Sequence, residues 1–462
     1  MNPKQPPIPH ASQGYQGMRQ GLYFLVGMLL LGLVFAHKAT SNHASSAAAA
    51  VSPITPSVSL TSPSSAENTS PTPSTALSSS PTTLFPAPRN FPAQDTFAIQ
   101  NQKWTTDYSV DDHLQSSAQV FLNQFRPDDA VLAVCDLRTG VIRTLAERDS
   151  AGVHSHPRMA FEATFPAASL IKILTASAAL EGKCALPMDS LPLLGRNHTL
   201  YKFQLLPPKR AHFAKISLEN AFARSVNPVF GGLGLRIGAD ALRKMGSALG
   251  FNQPQSLSNC SPSHLDIPDT GFGLAQVACG YTKSTTISPL HALRIARGIG
   301  DDGHLTPLSF TPDLRNIKDG RRMITSVPAS EPIMSATALN DLRTLMAATV
   351  ESGTAKKGFH RAFRYTANHL EDLDLGGKTG TLDGTEPAGH YEWYIGYAKH
   401  KDQPDDGIAV AVMVINQRRT VHASELAALL IREWANPGVL TATPSIEGKR
   451  ISKRHRRYYA RS

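Results

Sequence analysis

A regular alternation of apolar and polar positions begins near residue 109. Over residues 109–130 the apolar positions recur at the spacing of one helix face, and Ser109, Asp111 and Asp112 are suitable residues for the start of that helix. Over residues 130–147 two short apolar runs flank Gly140, which suits the turn of a β-hairpin. From here onward the chain has the patterning of a folded domain.

The central part of the chain has mostly helical periodicity. Residues 167–180, AASLIKILTASAAL, are small or apolar at almost every position, as in a helix that is buried on all sides. Residues 216–251 are helical in period, with Ser217 as the expected N-cap. Residues 339–355 predict another helix, which ends at Gly353.

Three apolar, β-prone runs follow, at residues 374–382, 392–399 and 407–416, and residues 423–434 then predict a closing helix. Strands, a block of helices and further strands in that order indicate an α+β fold. We expect the hairpin of residues 130–147 to join the late strands in one antiparallel sheet.

The first hundred residues differ in composition from this domain. Residues 21–36 form an uncharged, apolar run of sixteen after Lys4 and Arg19. This run predicts a transmembrane signal anchor over 21–37 with a cytoplasmic N-terminus (1–20). It is slightly short for a bilayer span and slightly long for a secretory signal, so a cleaved signal peptide is the alternative.

Residues 38–95 are rich in Ser, Thr, Pro and Ala, which predicts a disordered tether between the membrane and a domain of residues 96–440. The net charge of +10 is concentrated at the end of the chain, where residues 448–462 carry seven Lys and Arg and no acid. This basic tail (441–462) either binds an anionic surface or is simply solvated, and no specific nucleic acid partner is expected.

Export would permit disulfide bonds among the four cysteines. Cys135 lies in an apolar run and is expected to be a small buried side chain, whereas Cys260 and Cys279 could pair, and Cys184 has no assigned role. The cysteine spacing matches no metal motif, and the chemistry inferred below needs no metal or organic cofactor.

Lys172 is the one charged residue in the stretch 167–180, and it follows Ser169 by one helical turn. Residues at this spacing are neighbours on a helix surface. Desolvation lowers the pKa of a lysine in apolar surroundings, so its neutral amine can take the proton of a serine hydroxyl. The pair therefore predicts a nucleophile and its base at the start of a helix, where backbone N–H groups stabilise negative charge.

Two later motifs supply the surroundings that such a pair needs. The sequence SVN (225–227) offers a hydroxyl and an amide. The sequence GGKTGT (376–381) offers a lysine and two threonines on a strand whose glycines permit a substrate to approach closely. The three motifs in this order are a signature of penicillin-binding proteins and class A β-lactamases. Val226 replaces the usual Asp of the second motif, and its side chain is expected to point away from the site.

The chain resembles the transpeptidase domain of class B penicillin-binding proteins from about residue 105 to residue 435. Besides the three motifs, the resemblance covers VCDLRTGVIRTL, ISPLHALRIARGIGDDGHLTP, ESGTAKKGF and EWYIGYA. It implies an antiparallel β-sheet flanked by helices on both faces, with an all-helical subdomain. Two departures are a turn that looks enlarged over residues 383–392 and the expected lack of a pedestal or glycosyltransferase domain between tether and catalytic domain.

By this resemblance the substrate is the D-alanyl-D-alanine end of a peptidoglycan stem peptide, and β-lactam antibiotics acylate the same serine. Lys172 would activate Ser169, and Ser225 would relay a proton to the leaving D-alanine. The backbone N–H groups of Ser169 and Thr381 would form the oxyanion hole. The substrate-binding residues that the resemblance implies are Asn227, Lys378, Thr379, Gly380 and Thr381.

The expected function is that of a peptidoglycan D,D-transpeptidase, anchored in the bacterial inner membrane with its catalytic domain in the periplasm. Proteins of cell-wall synthesis or division are candidate partners. The same site also suits a D,D-carboxypeptidase. A serine β-lactamase would need a glutamate shortly after the second motif, whereas the first glutamate after Asn227 is Glu331. A non-catalytic domain that senses β-lactams or binds the cell wall is the remaining alternative.

A reporter enzyme fused after residue 90 is expected to be exported and to fractionate with membranes. The physical reason is that Lys4 and Arg19 hold the preceding segment on the cytoplasmic side. Alkaline phosphatase activity of the fusion and its retention in carbonate-washed membranes check this expectation. Soluble mature protein that begins near residue 37 would show that the segment is a cleaved signal peptide instead.

Overall fold

The structure, a computed structural model, describes residues 94–437 with short internal gaps. The gaps are residues 100–101, 150–151, 155–157, 208–212, 256, 258–259, 312, 325–330, 365–369, 386 and 419. The predicted cytoplasmic N-terminus (1–20), the anchor (21–37), almost all of the tether (38–95) and the basic tail (441–462) lie outside the described residues. Among the residues that are described, no helix has the length and apolar character needed to cross a membrane.

The helices are α1 (Asp112–Phe125), α2 (Ile171–Glu181), α3 (Leu218–Ala223), α4 (Asn227–Ile237), α5 (Ala239–Ala248), α6 (Gly271–Cys279), α7 (Pro289–Gly300), α8 (Ala336–Glu351), α9 (Lys356–Ala362) and α10 (Ala423–Ala435). The strands are β1 (Gln94–Ile99), β2 (Gln102–Asp107), β3 (Asp129–Asp136), β4 (Ile142–Asp149), β5 (Gly152–His154), β6 (Phe165–Pro166), β7 (Ser190–Pro192), β8 (Lys215–Ser217), β9 (Thr286–Ile287), β10 (Asp313–Asn316), β11 (Arg322–Ile324), β12 (Leu373–Thr385), β13 (Ala388–His400) and β14 (Gly407–Asn416). Short 3₁₀ turns occupy Met159–Phe161, Ala168–Leu170, Lys202–Leu205 and Leu370–Asp372.

A six-stranded antiparallel sheet of order β12-β13-β14-β3-β4-β5 forms the centre of the domain. Successive residues of β3 point to opposite faces, so that Val131, Ala133 and Cys135 join one hydrophobic cluster and Leu132 and Val134 join another. Helix α7 packs on the sheet at the first cluster, whereas α1 and α10 contribute to the second. The α+β class, the helices on both faces and the joining of the first hairpin to the late strands are confirmed.

The second part of the domain is helical and is arranged around α2. Every residue of α2 except Glu181 is buried, because α4, α5, α6 and α8 all pack against it. The uniformly apolar character of this stretch is therefore explained by a central helix with no solvent-facing side. The predicted all-helical subdomain is confirmed.

The predicted helical stretch 216–251 is divided into three helices. Ser217 is the N-cap of α3, as predicted, and its Oγ accepts a hydrogen bond from the Asn220 N–H at 3.1 Å. The stretch breaks at Ser225, whose φ of 55° is left-handed, and again at Gly238, whose φ is 86°. A residue with left-handed backbone ends a regular helix. Neither residue interrupts the spacing of apolar positions, so the sequence pattern predicted one continuous helical stretch.

Two boundaries can be compared with the sequence-based expectation. Of the residues expected to start helix α1, Asp111 is the N-cap, because its carboxylate accepts the N–H groups of His113 and Leu114, each at 3.0 Å. The segment 383–392 is not an enlarged turn, since β12 and β13 stay paired up to Thr385 opposite Ala388. The extra residues lengthen the two strands.

Cys260 and Cys279 do not form the disulfide that the sequence left open, because all four cysteines are free thiols. The Cys260 Sγ lies 3.3 Å from the Ser288 Oγ, and Cys279 ends α6 beside Lys172. Cys135 is fully buried in the sheet, as predicted, and burial raises the pKa of its thiol to about 12.

The Glu147 carboxylate on β4 is buried and holds the chain that leads to the helical subdomain. It accepts the backbone N–H groups of Arg158, Met159 and Ala160 at 2.7, 3.1 and 2.6 Å. Three donors around one carboxylate substitute for the water that burial removes. The start of the connection from the sheet to Ser169 is thereby tied to β4.

Replacing Glu147 with Gln is expected to lower the free energy of unfolding by about 1–3 kcal/mol, because an amide donor then faces backbone donors. Urea unfolding followed by circular dichroism measures the change. Glu162→Gln is the matched control, since the ion pair of Glu162 with Arg158 is solvent-exposed and its loss should change stability by less than about 1 kcal/mol. Equal effects of the two substitutions would contradict this role of Glu147.

Candidate active site

Ser169 lies in the 3₁₀ turn Ala168–Leu170, directly before α2, and its side chain is half-buried. The residues ahead of it are tied to two other parts of the domain. The Trp393 Nε1–H on β13 donates to the Pro166 carbonyl at 2.9 Å, and the Ala167 N–H donates to the Thr285 carbonyl at 2.9 Å. The position of the serine is therefore set jointly by the sheet and by the connection that leads to β9.

The backbone of the serine turn is strained and closely packed. Ala168 has a left-handed φ of 49°, which is unfavourable for a residue with a Cβ. Gly280, with a φ of 72°, packs against it so closely that a Cβ there would lie 1.9 Å from the Ala168 carbonyl oxygen. Such strain persists only where the surroundings determine the conformation, and it is common at functional sites.

The Lys172 amine is fully buried and has three polar neighbours. Its Nζ lies 2.7 Å from the Ser169 Oγ, 2.7 Å from the Asn227 Oδ1 and 2.7 Å from the Cys279 carbonyl oxygen. Burial lowers the pKa of Lys172 from its ordinary value of 10.5 to about 8. A substantial fraction of the amine is therefore neutral near physiological pH.

The three neighbours determine how a neutral Lys172 amine is oriented. A neutral amine has two N–H groups and one lone pair, and the Asn227 Oδ1 and the Cys279 carbonyl can only accept. Those two oxygens take the two N–H groups, so the lone pair is left for the Ser169 hydroxyl proton. The Asn227 amide is itself oriented, because its Nδ2 donates to the His198 carbonyl at 3.1 Å.

The second and third motifs meet at the Lys378 amine, which is also fully buried. Its Nζ donates to the Ser225 Oγ at 3.1 Å and to the Thr379 carbonyl at 2.7 Å. The left-handed backbone of Ser225 belongs to the break between α3 and α4. Burial, and to a smaller extent the nearby Lys172, hold the pKa of Lys378 well below its usual range.

The rest of the third motif continues along β12 toward the serine turn. Thr379 is half-buried and Thr381 is exposed, whereas Gly380 is buried. A Cβ on Gly380 would lie 3.3 Å from Trp393, the same side chain that holds Pro166. Since the serine turn packs against β12, this strand forms one wall of the site.

The structure brings the predicted residues together as one connected arrangement. Ser169, Lys172 and Asn227 are joined by direct hydrogen bonds, as are Ser225 and Lys378. Thr379, Gly380 and Thr381 extend from Lys378 along the same strand. Val226 is fully buried within the hydrophobic cluster, in keeping with a side chain that points away from the site. The oxyanion-hole role of the Ser169 and Thr381 N–H groups stays a prediction.

Three contributors to the site were not inferred from the sequence. The Thr354 Oγ1 lies 2.5 Å from the Thr379 Oγ1, the Cys279 carbonyl contacts Lys172, and His198 contacts Asn227 through its carbonyl. Thr354 lies in the segment ESGTAKKGF, which the family resemblance covers without assigning a role. Backbone carbonyls have no signature in a sequence. Within the described part of the chain, no group of three or more His, Cys, Asp or Glu side chains is placed to hold a metal ion.

A family model described as the penicillin binding protein transpeptidase domain matches residues 130–431, which is more than half of the chain. The chain belongs to this family. The peptidoglycan D,D-transpeptidase PbpA of Mycolicibacterium smegmatis is 30% identical over 278 residues, a match that covers 55% of this chain and 50% of the relative. The chain thus spans about half the length of the curated relatives that it matches.

Solved structures of this penicillin-binding protein family show the same fold. A crystal structure of PBPA from Mycobacterium tuberculosis aligns with a TM-score of 0.55 and 25% sequence identity, over 71% of this chain and 79% of that one. A ceftriaxone acyl-enzyme complex of penicillin-binding protein A from the same organism aligns with equal TM-score, identity and coverage. Both alignments support the fold described above.

Gly280→Ala in this penicillin-binding protein is expected to slow covalent labelling by penicillin and to destabilise the domain. The new Cβ would collide with the Ala168 carbonyl and displace the serine turn. The left-handed backbone adds about 1–2 kcal/mol, and the collision adds a further ~1–3 kcal/mol. Labelling rate with a fluorescent penicillin and urea unfolding measure the two effects.

Gly271→Ala, at the opposite end of α6, is the matched control. Gly271 has a nearly equal φ of 76°, but a Cβ there would have no neighbour within 4 Å. Gly271→Ala should be destabilised only by the cost of the left-handed backbone, and it should retain the wild-type rate of labelling by penicillin. If both alanine variants label equally slowly, close packing against Ala168 is not what positions Ser169.

Proposed function

We propose that this chain is a peptidoglycan D,D-transpeptidase that acts on D-alanyl-D-alanine stem peptides through an acyl-serine intermediate. The observation that carries the proposal is the orientation of Lys172, whose two acceptor-only partners leave its lone pair for the Ser169 hydroxyl. The family membership and the relatives named as peptidoglycan D,D-transpeptidases support the same reaction.

In the proposed acylation, Lys172 takes the Ser169 proton as the serine oxygen attacks the carbonyl of the penultimate D-alanine. The negative charge on the carbonyl oxygen is stabilised by the N–H groups of Ser169 and Thr381, each donor contributing about 3–4 kcal/mol. The peptide bond then breaks, and Ser225 passes the proton from Lys172 to the departing nitrogen. D-Alanine leaves, and the rest of the peptide stays esterified to the serine.

The terminal carboxylate of the substrate is recognised by Lys378, Thr379 and Thr381 in this proposal. The opposite charge of the carboxylate raises the pKa of Lys378, which burial holds low while no anion is bound. Lys378 is therefore protonated when substrate binds, and its positive charge disfavours protonation of the neighbouring Lys172 amine. Binding of the correct anion thus favours the free amine that the reaction requires.

β-Lactam antibiotics are proposed to acylate Ser169 by the same route. Their carboxylate and strained amide occupy the positions of the substrate carboxylate and scissile bond. The ceftriaxone acyl-enzyme complex of the Mycobacterium tuberculosis relative supports this proposal. The acyl group would persist because the leaving nitrogen stays attached to the bound molecule.

A D,D-carboxypeptidase would use the same residues with water as the acceptor. A serine β-lactamase is less well supported, because Glu331 and Glu351 are both exposed and neither contacts Lys172 in the network described above. A penicillin sensor would acylate once and stop. The name of the curated relatives favours transpeptidation over these alternatives.

We also propose that the catalytic domain acts on the periplasmic side of the bacterial inner membrane. The apolar run 21–37 would be its anchor, and the tether 38–95 would let the domain reach its substrate. Proteins of cell-wall synthesis or division, and anionic surfaces at the basic tail, are its proposed partners.

The decisive experiment incubates the full-length chain with a stem pentapeptide and an amine acceptor, and measures D-alanine release together with the cross-linked product. Release of D-alanine with formation of the cross-link is expected. Ser169→Ala should abolish both products and all covalent labelling by fluorescent penicillin. Release without cross-linking would indicate a carboxypeptidase, and a stable adduct on Ser169→Ala would contradict the nucleophile assignment.

Acylation by penicillin is expected to become faster as the pH rises and to level off above about pH 8. Only the neutral amine of Lys172 accepts a proton, and its pKa is about 8, so the rate falls about tenfold per pH unit below that value. Stopped-flow labelling across pH 5.5–9.5 measures the profile.

Lys172→Arg and Lys172→Met should both slow acylation by a factor on the order of 10²–10⁴ and should abolish this pH profile. Arginine keeps the positive charge but does not release its proton, whereas methionine keeps the length and has no amine. An arginine variant that acylates at the wild-type rate would mean that Lys172 acts only as a charge.

A further inference from the structure

A rigid loop (residues 194–205) lies beside the site, and no step proposed above uses its side chains. Gln204 is buried at its centre, where its Nε2 donates to the Leu194 carbonyl at 2.7 Å and its Oε1 accepts the Tyr201 N–H at 2.8 Å. Gly195, with a φ of 76°, packs so closely that a Cβ there would lie 2.5 Å from the Gln204 Nε2. The loop is therefore held together by a buried amide.

The tip of this loop touches the second motif. The Asn227 N–H donates to the Asn197 carbonyl at 2.6 Å, and the Asn227 Nδ2 donates to the His198 carbonyl at 3.1 Å. The His198 side chain is exposed, and its ring lies against the Ser225 carbonyl. The charged groups that act on the ring are Lys172 from α2 and Lys378 from β12. A solvent-accessible imidazole thus lies beside the second motif, within electrostatic range of both motif lysines.

The charge state of this imidazole follows from its surroundings. Partial burial of the ring, and then the two lysines, lower the pKa of His198 below its ordinary value of 6.5, although the Ser225 carbonyl opposes the shift. The ring is therefore a neutral base near pH 7. Its exposure allows any proton that it takes to pass on to water.

The second half of transpeptidation leaves one proton without an assigned acceptor. An acceptor amine arrives mostly as an ammonium ion at neutral pH, and it must lose a proton before its nitrogen can attack the acyl-serine. The attack releases a second proton, which Lys172 takes and returns to the Ser169 oxygen as the ester bond breaks. The first proton needs a different base. Water as the acceptor has no such extra proton to lose.

We propose that the His198 imidazole is the base that takes the first proton from the acceptor ammonium group. The inference rests on the proposed function. It adds that His198 is the residue that favours an amine over water as the acceptor of the acyl group. The ammonium gives its proton to a nitrogen of the neutral ring, the neutral amine attacks the acyl carbonyl, and the imidazolium releases the proton to solvent. His198 thereby raises the supply of attacking amine without taking part in acylation.

The test uses the full-length chain, an N-acyl-D-alanyl thioester as donor, and glycylglycine as acceptor. The measured quantity is the ratio of aminolysis to hydrolysis products. Both reactions depend on Lys172 in the same way, so the titration of Lys172 does not change this ratio. In the wild type this ratio should stay nearly constant from pH 8 down to the pKa of His198. In His198→Gln it should fall about tenfold per pH unit below the amine pKa near 8, a loss on the order of 10-fold at pH 7.

Two controls separate proton removal from an effect on structure. Hydroxylamine is uncharged at neutral pH, so its capture of the acyl group should be equal in wild type and His198→Gln. The rate of penicillin acylation is measured beside these rates, because a loss there would report a disturbed second motif, where the His198 backbone carbonyl holds Asn227. His360→Gln, an exposed histidine on α9, should leave every measurement unchanged.

A pH-independent ratio in both proteins would overturn the role of His198. In His198→Gln, equal losses of transfer to glycylglycine and to hydroxylamine, or a matching loss of acylation, would show that His198 only supports the second motif. Either result would also overturn the role of His198 as a base. A wild-type chain that hydrolyses the donor but never transfers it to an amine would overturn transpeptidation, and this inference with it. Failure of the wild type to be acylated at all would overturn the proposed function at its first step.

Discussion

The burial of one amine, that of Lys172, is the constraint on which the site depends. An ammonium ion removed from water costs several kcal/mol unless it is paired, and the described site offers this amine neutral oxygens rather than a carboxylate. The amine therefore gives up its charge readily. Its three oxygen partners come from the serine turn, the start of α4 and the end of α6, so the packing of the helical subdomain around α2 determines the surroundings of this amine.

The central sheet provides contacts that fix the position of the serine turn. Both faces of the sheet are covered, and β12, β13 and β14 pair over ten or more residues. Trp393 on β13 holds Pro166, and Gly380 on the adjacent strand admits close contact with that indole. A strained Ala168 can persist because its neighbours on both sides are held by such contacts.

Two buried lysines in one site also explain how an anion can control the chemistry. Lys172 and Lys378 both lose solvation, and the nearby Lys172 further lowers the pKa of Lys378. A carboxylate beside Lys378 changes this balance by stabilising charge on that residue alone. In the proposed reaction, recognition of the substrate carboxylate and activation of Lys172 are therefore coupled through electrostatics.

Local patterns in the sequence determined several of the helices, the paired strands β3, β4, β12, β13 and β14, the buried helix α2 and the proximity of Ser169 to Lys172, because these depend on spacings of a few residues. The order of the known short motifs located the other two parts of the site. Only the tertiary structure decided the break at Ser225, the free Cys279 and the contact of His198 with Asn227. These features depend on left-handed backbone and on carbonyl oxygens that meet across long stretches of chain, and neither leaves a periodic signal in the sequence.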